Sequence, residues 1–301
     1  MHGEFVWGIL IVIYLFTAGL SAGAMVTSNG ALLLGGERFD RIARWGALIA
    51  PFPIAIGTGM LLVDLGSPLN FYRLFMILQV KSPMSYGSWA ILLFTVLSLV
   101  YFYLWLPEKL QIWRRPAQYV QWQRFLAKVM PVLAVIVAAY TGVLLNAAGR
   151  PLWQTPLLPE LFLVSAFSTG VASVILAASL SHTWRARHHE IRVLTIADAV
   201  LVILELILFA TMALSAQLGT LSQRLAFAQL LDGHYAWMFW FFIVILGLVV
   251  PLLMEISEIR GKIPVKWAGS LTIGSSFLVL FGGFFVRYAI TYAGQWSGWV
   301  H

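Results

Sequence analysis

Two tyrosines and three carboxylates stand where a lipid-soluble chain should carry none without reason. Tyr14 and Tyr140 lie inside long apolar runs, Asp64 closes another, and Asp198 and Glu205 share a fourth. A phenol, with an ordinary pKa near 10, keeps its proton at neutral pH and donates it to a hydrogen bond, whereas a carboxylate can take a proton up. Asn146 and Arg150 follow Tyr140 towards the end of its run and add an amide and a fixed positive charge. Phenols and a carboxylate under an arginine are the groups needed to orient an apolar ring bearing hydrogen-bonding oxygens, otherwise held by hydrophobic walls. A quinone has that character, although each tyrosine alone also reads as an aromatic of the interfacial belt.

Asp198 and Glu205 raise a different chemistry. A charge near the bilayer centre costs at least about 3 kcal/mol on insertion scales, so such groups mark a pairing or a pathway. Seven residues apart, they fall two turns apart on one face of a helix. Either each pairs with a hydroxyl or basic group to fix packing, or the two form a proton or ion relay; one role does not exclude the other.

Two absences bound the rest. The chain has no cysteine, so it supplies neither a disulfide nor the thiolates of an iron–sulfur cluster, and any cluster belongs to a partner. Its histidines, His2, His182, His188, His189, His234 and His301, fall at span ends, in gaps or at the termini. None sits at the mid-bilayer depth where a b-type haem would take a pair; His182 is the nearest to an exception.

The elements that position these residues are helices in lipid. Crossing the hydrocarbon core takes about 20 apolar residues, and such spans run 8–33, 42–65, 89–106, 129–147, 160–180, 193–216, 236–253 and 267–292. Lipid offers the backbone no partners, and the runs are too long for barrel strands, so the expected fold is an all-α integral membrane protein of eight helices. The first run is too long for a signal-peptide core and lacks a basic leader, Glu4 standing there instead, and is read as a retained helix. Every second gap is basic: Arg38, Arg41 and Arg44; Lys109, Arg114, Arg115, Arg124 and Lys128; Arg185, Arg187 and Arg192; Arg260, Lys262 and Lys266. Only Arg73, Lys81, Arg150, Arg224 and Arg287 are assigned to the other side, so the positive-inside rule places both termini outside. The net charge of +7 then describes a membrane surface rather than a nucleic-acid footprint.

On that orientation Tyr14 and Tyr140 each lie about two turns below the outer surface, with Asp64, Asn146 and Arg150 nearer to it. Close packing is expected where Gly19 and Gly23 make a small-xxx-small step, at Gly57 and Gly59 beside Pro51 and Pro53, and at Gly282 and Gly283. Ser21-Ala22-Gly23 of the first span is echoed by Ser168-Thr169-Gly170 of the fifth. Both spans enter from outside, which suggests two four-helix bundles in one orientation, residues 1–150 and 151–301.

Several segments, in this order and spacing, resemble the NrfD and polysulfide reductase membrane-subunit family across nearly the whole chain. They are Tyr14 to Gly23, Asp64 to Pro68, Phe71 to Phe75, Ser82 to Trp89, Tyr140 to Leu145, Arg150 to Trp153, Arg287, and Tyr292 to Gln295. The resemblance implies a haem-free anchor in the cytoplasmic membrane that oxidises menaquinol near the outer face. It also implies a four-cluster [4Fe-4S] ferredoxin-like subunit and a molybdopterin catalytic subunit as partners, as in polysulfide or thiosulfate reductases. Carried over by position, Tyr14, Asp64 and Tyr140 become the catalytic and quinone-binding residues, with Asn146 and Arg150 beside them. Tyr14 departs from the polysulfide reductase pattern, which has histidine there; a phenol donates more readily than it accepts, leaving Asp64 as the better proton acceptor. Arg150 and Trp153, with the gap from Gly66 to Ser88, are then expected to form part of the docking surface. Two other classes fit the same pattern: an ion-coupled secondary transporter, suited by intramembrane carboxylates and helix breaks, and a structural anchor that binds no quinone.

Overall fold

With no water to satisfy it, backbone in lipid bonds within its own helix. The computed structural model describes residues 7–64, 83–107, 110–111, 118–181, 188–261 and 264–296, and its regular structure there is helical throughout. Helix α1 covers Ile9–Gly35. A tight turn at Gly36–Phe39 leads into α2, Asp40–Ile49, and α3, Pro51–Asp64, which together make one span with a break at Ala50. Helices α4, Pro83–Trp105, α5, Tyr119–Ala147, α6, Leu157–Leu180, and α7, His188–Leu218, follow. The short α8, Leu221–Leu231, precedes α9, Ala236–Ile259, and α10, Val265–Trp296. Eight of the described helical spans are long and apolar enough to cross a membrane.

Two local departures have plain causes. The start of α8, which no apolar run announces, is fixed by a reciprocal cap: Gln223 N–H donates to Thr220 Oγ1 at 3.3 Å and Thr220 N–H to Gln223 Oε1 at 3.0 Å. The middle of α9, Phe239–Val249, is wound as a π-helix, with the Val250 N–H reaching back to Ile245 O. Pro251 follows directly; it lacks an N–H and its ring crowds the carbonyl four residues back, which favours the wider winding.

Helices α1 and α6 are the most deeply buried and cross at the echoed motif. A side chain on Gly23 would run into the Ala166 carbonyl and Gly170, and one on Gly170 into Gly23. Gly247 of α9 and Gly282 of α10 meet in the same way, and Gly283 lies on Thr169. Gly59, by contrast, has open space where a side chain would go. Trp7 and Gln295 bond reciprocally, at 2.8 and 2.9 Å, which puts both described chain ends at one face, called the terminal face below. Arg38, Arg41, Arg44, Arg124, Lys128, Arg192 and Arg260 lie towards the opposite, basic face.

Two residues are not where the spacing put them. Arg287, counted among surface charges, is fully buried within α10. Trp153, expected on a docking surface, is 1% exposed: it stacks on Trp7 at 5.2 Å and donates from Nε1 to Ile290 O at 2.8 Å, pinning the α5–α6 loop to α10. The Phe71 to Phe75 segment, most of the Gly66 to Ser88 gap, His2, His182, Lys109, Arg114, Arg115, Arg185, Arg187, Lys262 and His301 lie outside the described residues.

Candidate functional site

Tyr14 is five residues into α1 and Tyr140 seven residues before the end of α5, so both Cα atoms lie about 7–11 Å below the terminal face. The structure brings them together: the two phenols are close enough to act on each other electrostatically. Tyr14 is 0% exposed, yet its hydroxyl has no hydrogen-bond partner among the described residues. A buried donor left unmade costs about 1–3 kcal/mol, so it is a group waiting for an acceptor.

Glycines let the neighbouring helices close around the pair. A side chain at Gly57 of α3 would strike Thr17 and press on the Tyr14 backbone; one at Gly87 of α4 would run into the Tyr140 ring. The first four spans, α1, α2–α3, α4 and α5, therefore contribute to one cradle. Asp64 is the last residue of α3 and is exposed at the terminal face. Asn146 and Arg150 serve the loop above: the Asn146 amide donates to Thr155 O at 2.9 Å, and Arg150 Nη1 to Gln295 O at 3.5 Å.

A second polar system crosses the other half. Ser168 Oγ donates to Asp198 Oδ1 at 2.6 Å, and the Glu255 carboxyl of α9 lies within hydrogen-bonding range of Asp198. A bond between two carboxyls requires one of them to carry a proton. One turn from Ser168 on α6, Ser165 accepts from Arg287 Nη1 at 3.0 Å and stands within hydrogen-bonding range of Glu205, which feels the Arg287 charge electrostatically. The guanidinium also donates to Gly283 O at 2.7 Å and, from Nε, to Leu15 O at 3.3 Å, one residue from Tyr14. The Phe162 and Phe16 rings lie 5.4 and 5.8 Å from its Cζ. Asp198, Glu205 and Glu255 are 0, 3 and 2% exposed, and each keeps one oxygen without a hydrogen-bond donor among the described residues.

Sequence reasoning missed Glu255 and Arg287. Glu255 falls two residues beyond the apolar run 236–253, but α9 continues to Ile259 and carries it inside. Arg287 stands in the middle of a run of apolar residues, and that position was the available signal.

The family described as Polysulphide reductase, NrfD, matches residues 1–297. This chain belongs to the NrfD family. Among NrfD-family relatives, it is 31% identical to a polysulfide reductase chain from Wolinella succinogenes over 98% of this chain and 96% of that one. It is 29% identical to protein NrfD of Escherichia coli, covering 96% of this chain and 95% of the other. A selenate reductase subunit from Mesobacillus selenatarsenatis is 23% identical over 85% of this chain and 67% of its own length. In this NrfD-family chain the phenol cradle thus lies among the first four spans, and the carboxylates lie in the sixth and seventh.

Proposed function

We propose that this chain is the haem-free, quinol-oxidising anchor of a respiratory molybdoenzyme complex. Its electrons go to a four-cluster [4Fe-4S] partner docked at the terminal face, which is the outer face of the cytoplasmic membrane. The observation that carries the reading is the buried Tyr14 hydroxyl, without a hydrogen-bond partner among the described residues, at the level of Tyr140 among helices that Gly57 and Gly87 allow to close in. Being named for reductase subunits, the relatives favour a terminal reductase of the polysulfide or thiosulfate type.

The residues fit a quinol: a buried donor, a second phenol and apolar neighbours suit an oxygen-bearing ring. Bound there, menaquinol supplies two electrons and two protons on oxidation. Tyr14 donates to one ring oxygen and, with Tyr140, fixes the ring plane between α1 and α5. Asp64, at the water boundary, accepts a proton and releases it to the terminal face. The chain thus provides position, exclusion of water and a proton acceptor, while the electrons pass to the partner. Asn146 and Arg150 hold the roof of the site by tying the α5–α6 loop together.

Asp198 and Glu205, joined by Glu255, form a proton relay open towards the basic face; quinol oxidation with release at the terminal face does not draw on it, and the reverse reaction, quinone reduction, does. The serines one turn apart on α6 support the path, while Arg287, which keeps its proton, fixes Ser165 against the α1 backbone beside Tyr14. The test is the purified complex. Quinone extracted in about one equivalent, lost together with quinol oxidation in Tyr140→Phe or Asp64→Asn while the partners stay bound, is the expected result. Full quinol oxidation in both variants rejects the site; assembly without any quinone means a structural anchor, and ion uptake by the chain alone in vesicles means a transporter.

A further inference from the structure

On the basic half of the molecule, away from the phenols, an apolar groove of about 430 Å³ runs along α1 between α6 and α7. That is within the roughly 300–1,000 Å³ of ligand pockets. Its lining on α1 extends from Gly23 to Gly35, twelve residues or about 18 Å. One leaflet contributes about 15 Å, half of the roughly 30 Å hydrocarbon core. The groove is therefore as deep as a leaflet, running from the membrane boundary to near mid-plane. Gly30 looks onto it: a Cβ there would meet nothing within 4 Å.

The interior has little to offer a polar ring. Thr27 is the hydroxyl residue of the lining, and its Oγ1 is already committed to Gly23 O at 2.8 Å. Polarity gathers at the mouth instead. Phe39 closes the basic end with its ring 5.9 Å from that of His189. Arg38, the neighbour of Phe39, and Arg192, the neighbour of the lining residue Val193, are both exposed on the two sides of that end. Arg192 is steadied by a bond to Ile259 O at 3.3 Å. The acids close by include Asp40, exposed, Glu190, which is buried, and Glu37, next to Arg38 in sequence, whose side chain lies outside the described residues. A leaflet-deep apolar channel capped by two arginines at headgroup level has the complementarity of a lipid with a negative head.

We propose that this groove is a site for one anionic phospholipid, with an acyl chain laid along α1 against α6 and α7 and its phosphate between Arg38 and Arg192. A bound lipid would fill the open side of the α1–α6 crossing, whose glycines bring backbones together without side-chain packing. The proposal does not depend on the quinone site.

Native mass spectrometry of the detergent-purified complex, with extraction and identification of retained lipid, tests it. One phosphatidylglycerol or cardiolipin molecule retained per chain after delipidation is expected. Gly30→Leu, whose Cβ enters open space and whose branch projects into the groove, should abolish retention while leaving the thermal transition and quinol oxidation unchanged. Arg38→Gln with Arg192→Gln, both at the surface, should lower retention of phosphatidylglycerol about fivefold for each arginine removed. Equal retention in Gly30→Leu overturns the proposal, as does equal retention of phosphatidylcholine from mixed vesicles. A quinone rather than a phospholipid displaced by Gly30→Leu also overturns it.

Discussion

The phenol cradle of the first half and the charged column of the second are both buried polar systems beside the α1–α6 crossing, but they are left incomplete in opposite senses. At Tyr14 the unsatisfied atom is a neutral donor, walled by helices that glycines allow to approach. At Asp198, Glu205 and Glu255 the unsatisfied atoms are carboxyl oxygens, strung along α7 and α9 and linked through Ser168 and Ser165. An orphan donor in a greasy cleft is completed by a ligand oxygen. An orphan carboxyl oxygen is completed by a proton. The comparison separates a place that holds a molecule from a path that passes a charge, and Arg287, bonded to Ser165 and to Leu15 O, is where the two touch.

The largest effect should come from that junction. Arg287→Leu takes a buried charged donor from Leu15 O, Ser165 Oγ and Gly283 O and a favourable electrostatic influence from Glu205, and losing even one hydrogen bond to a charged group costs about 1.5–3 kcal/mol. A purified complex carrying it should melt well below the parent or fail to assemble, read by thermal unfolding and partner retention. Removing Glu205 as well, by Glu205→Leu, should recover part of the loss, since an apolar group then replaces the buried carboxyl that felt the charge. If the double variant is as unstable as the single, the charges are not coupled.

Next is the cradle wall. Gly87→Leu must displace the Tyr140 ring, an overpacking of about 1–3 kcal/mol. Misplacing a positioning group by an ångström can reduce turnover about a hundredfold. Quinol oxidation should therefore collapse further than stability does. Gly59→Ala, one span earlier and facing open space, is the matched control and should leave both unchanged. Glu205→Gln keeps the shape of the column and removes its titration. In proteoliposomes it should lower the turnover of quinone reduction several-fold against a membrane potential and change the proton count per electron pair. Unchanged activity and stoichiometry would leave the carboxylates as packing alone.

The architecture was legible because its signals are long. Eight apolar runs and the placement of the basic gaps carry over to eight helices, and the Gly23 and Gly170 echo lies at their central crossing. Depth was legible too, since 1.5 Å per residue puts Tyr14 and Tyr140 at one level from counting alone. Facing was not. Nothing in the spacing says that Gly87 lies under Tyr140, or that Asn146 and Arg150 turn to the loop, because rotation about a helix axis is set by neighbours. Arg287 was misplaced for a related reason: a charge is taken to reach water even from within an apolar run, whereas here carbonyls of α1 and α10 and a serine of α6 receive it inside. Glu255 was lost to a boundary, since hydropathy stops counting helix before the hydrogen bonds do.

The smallest expected effect is also the most discriminating between holding and passing. Tyr14→Phe removes one hydroxyl from a site where nothing among the described residues bonds to it. Without ligand the variant should therefore be as stable as the parent or slightly more so, because a buried unmade donor is gone. With quinol it loses one hydrogen bond, about 0.5–1.5 kcal/mol, or about two- to tenfold in KM with little change in kcat if the bond is made equally in ground and transition states. A fall in kcat at constant KM would instead place the Tyr14 proton in the chemistry, making the first half a path as well as a holder. Loss of thermal stability without ligand would mean that the hydroxyl has an internal partner after all, and the contrast between the two halves would fail.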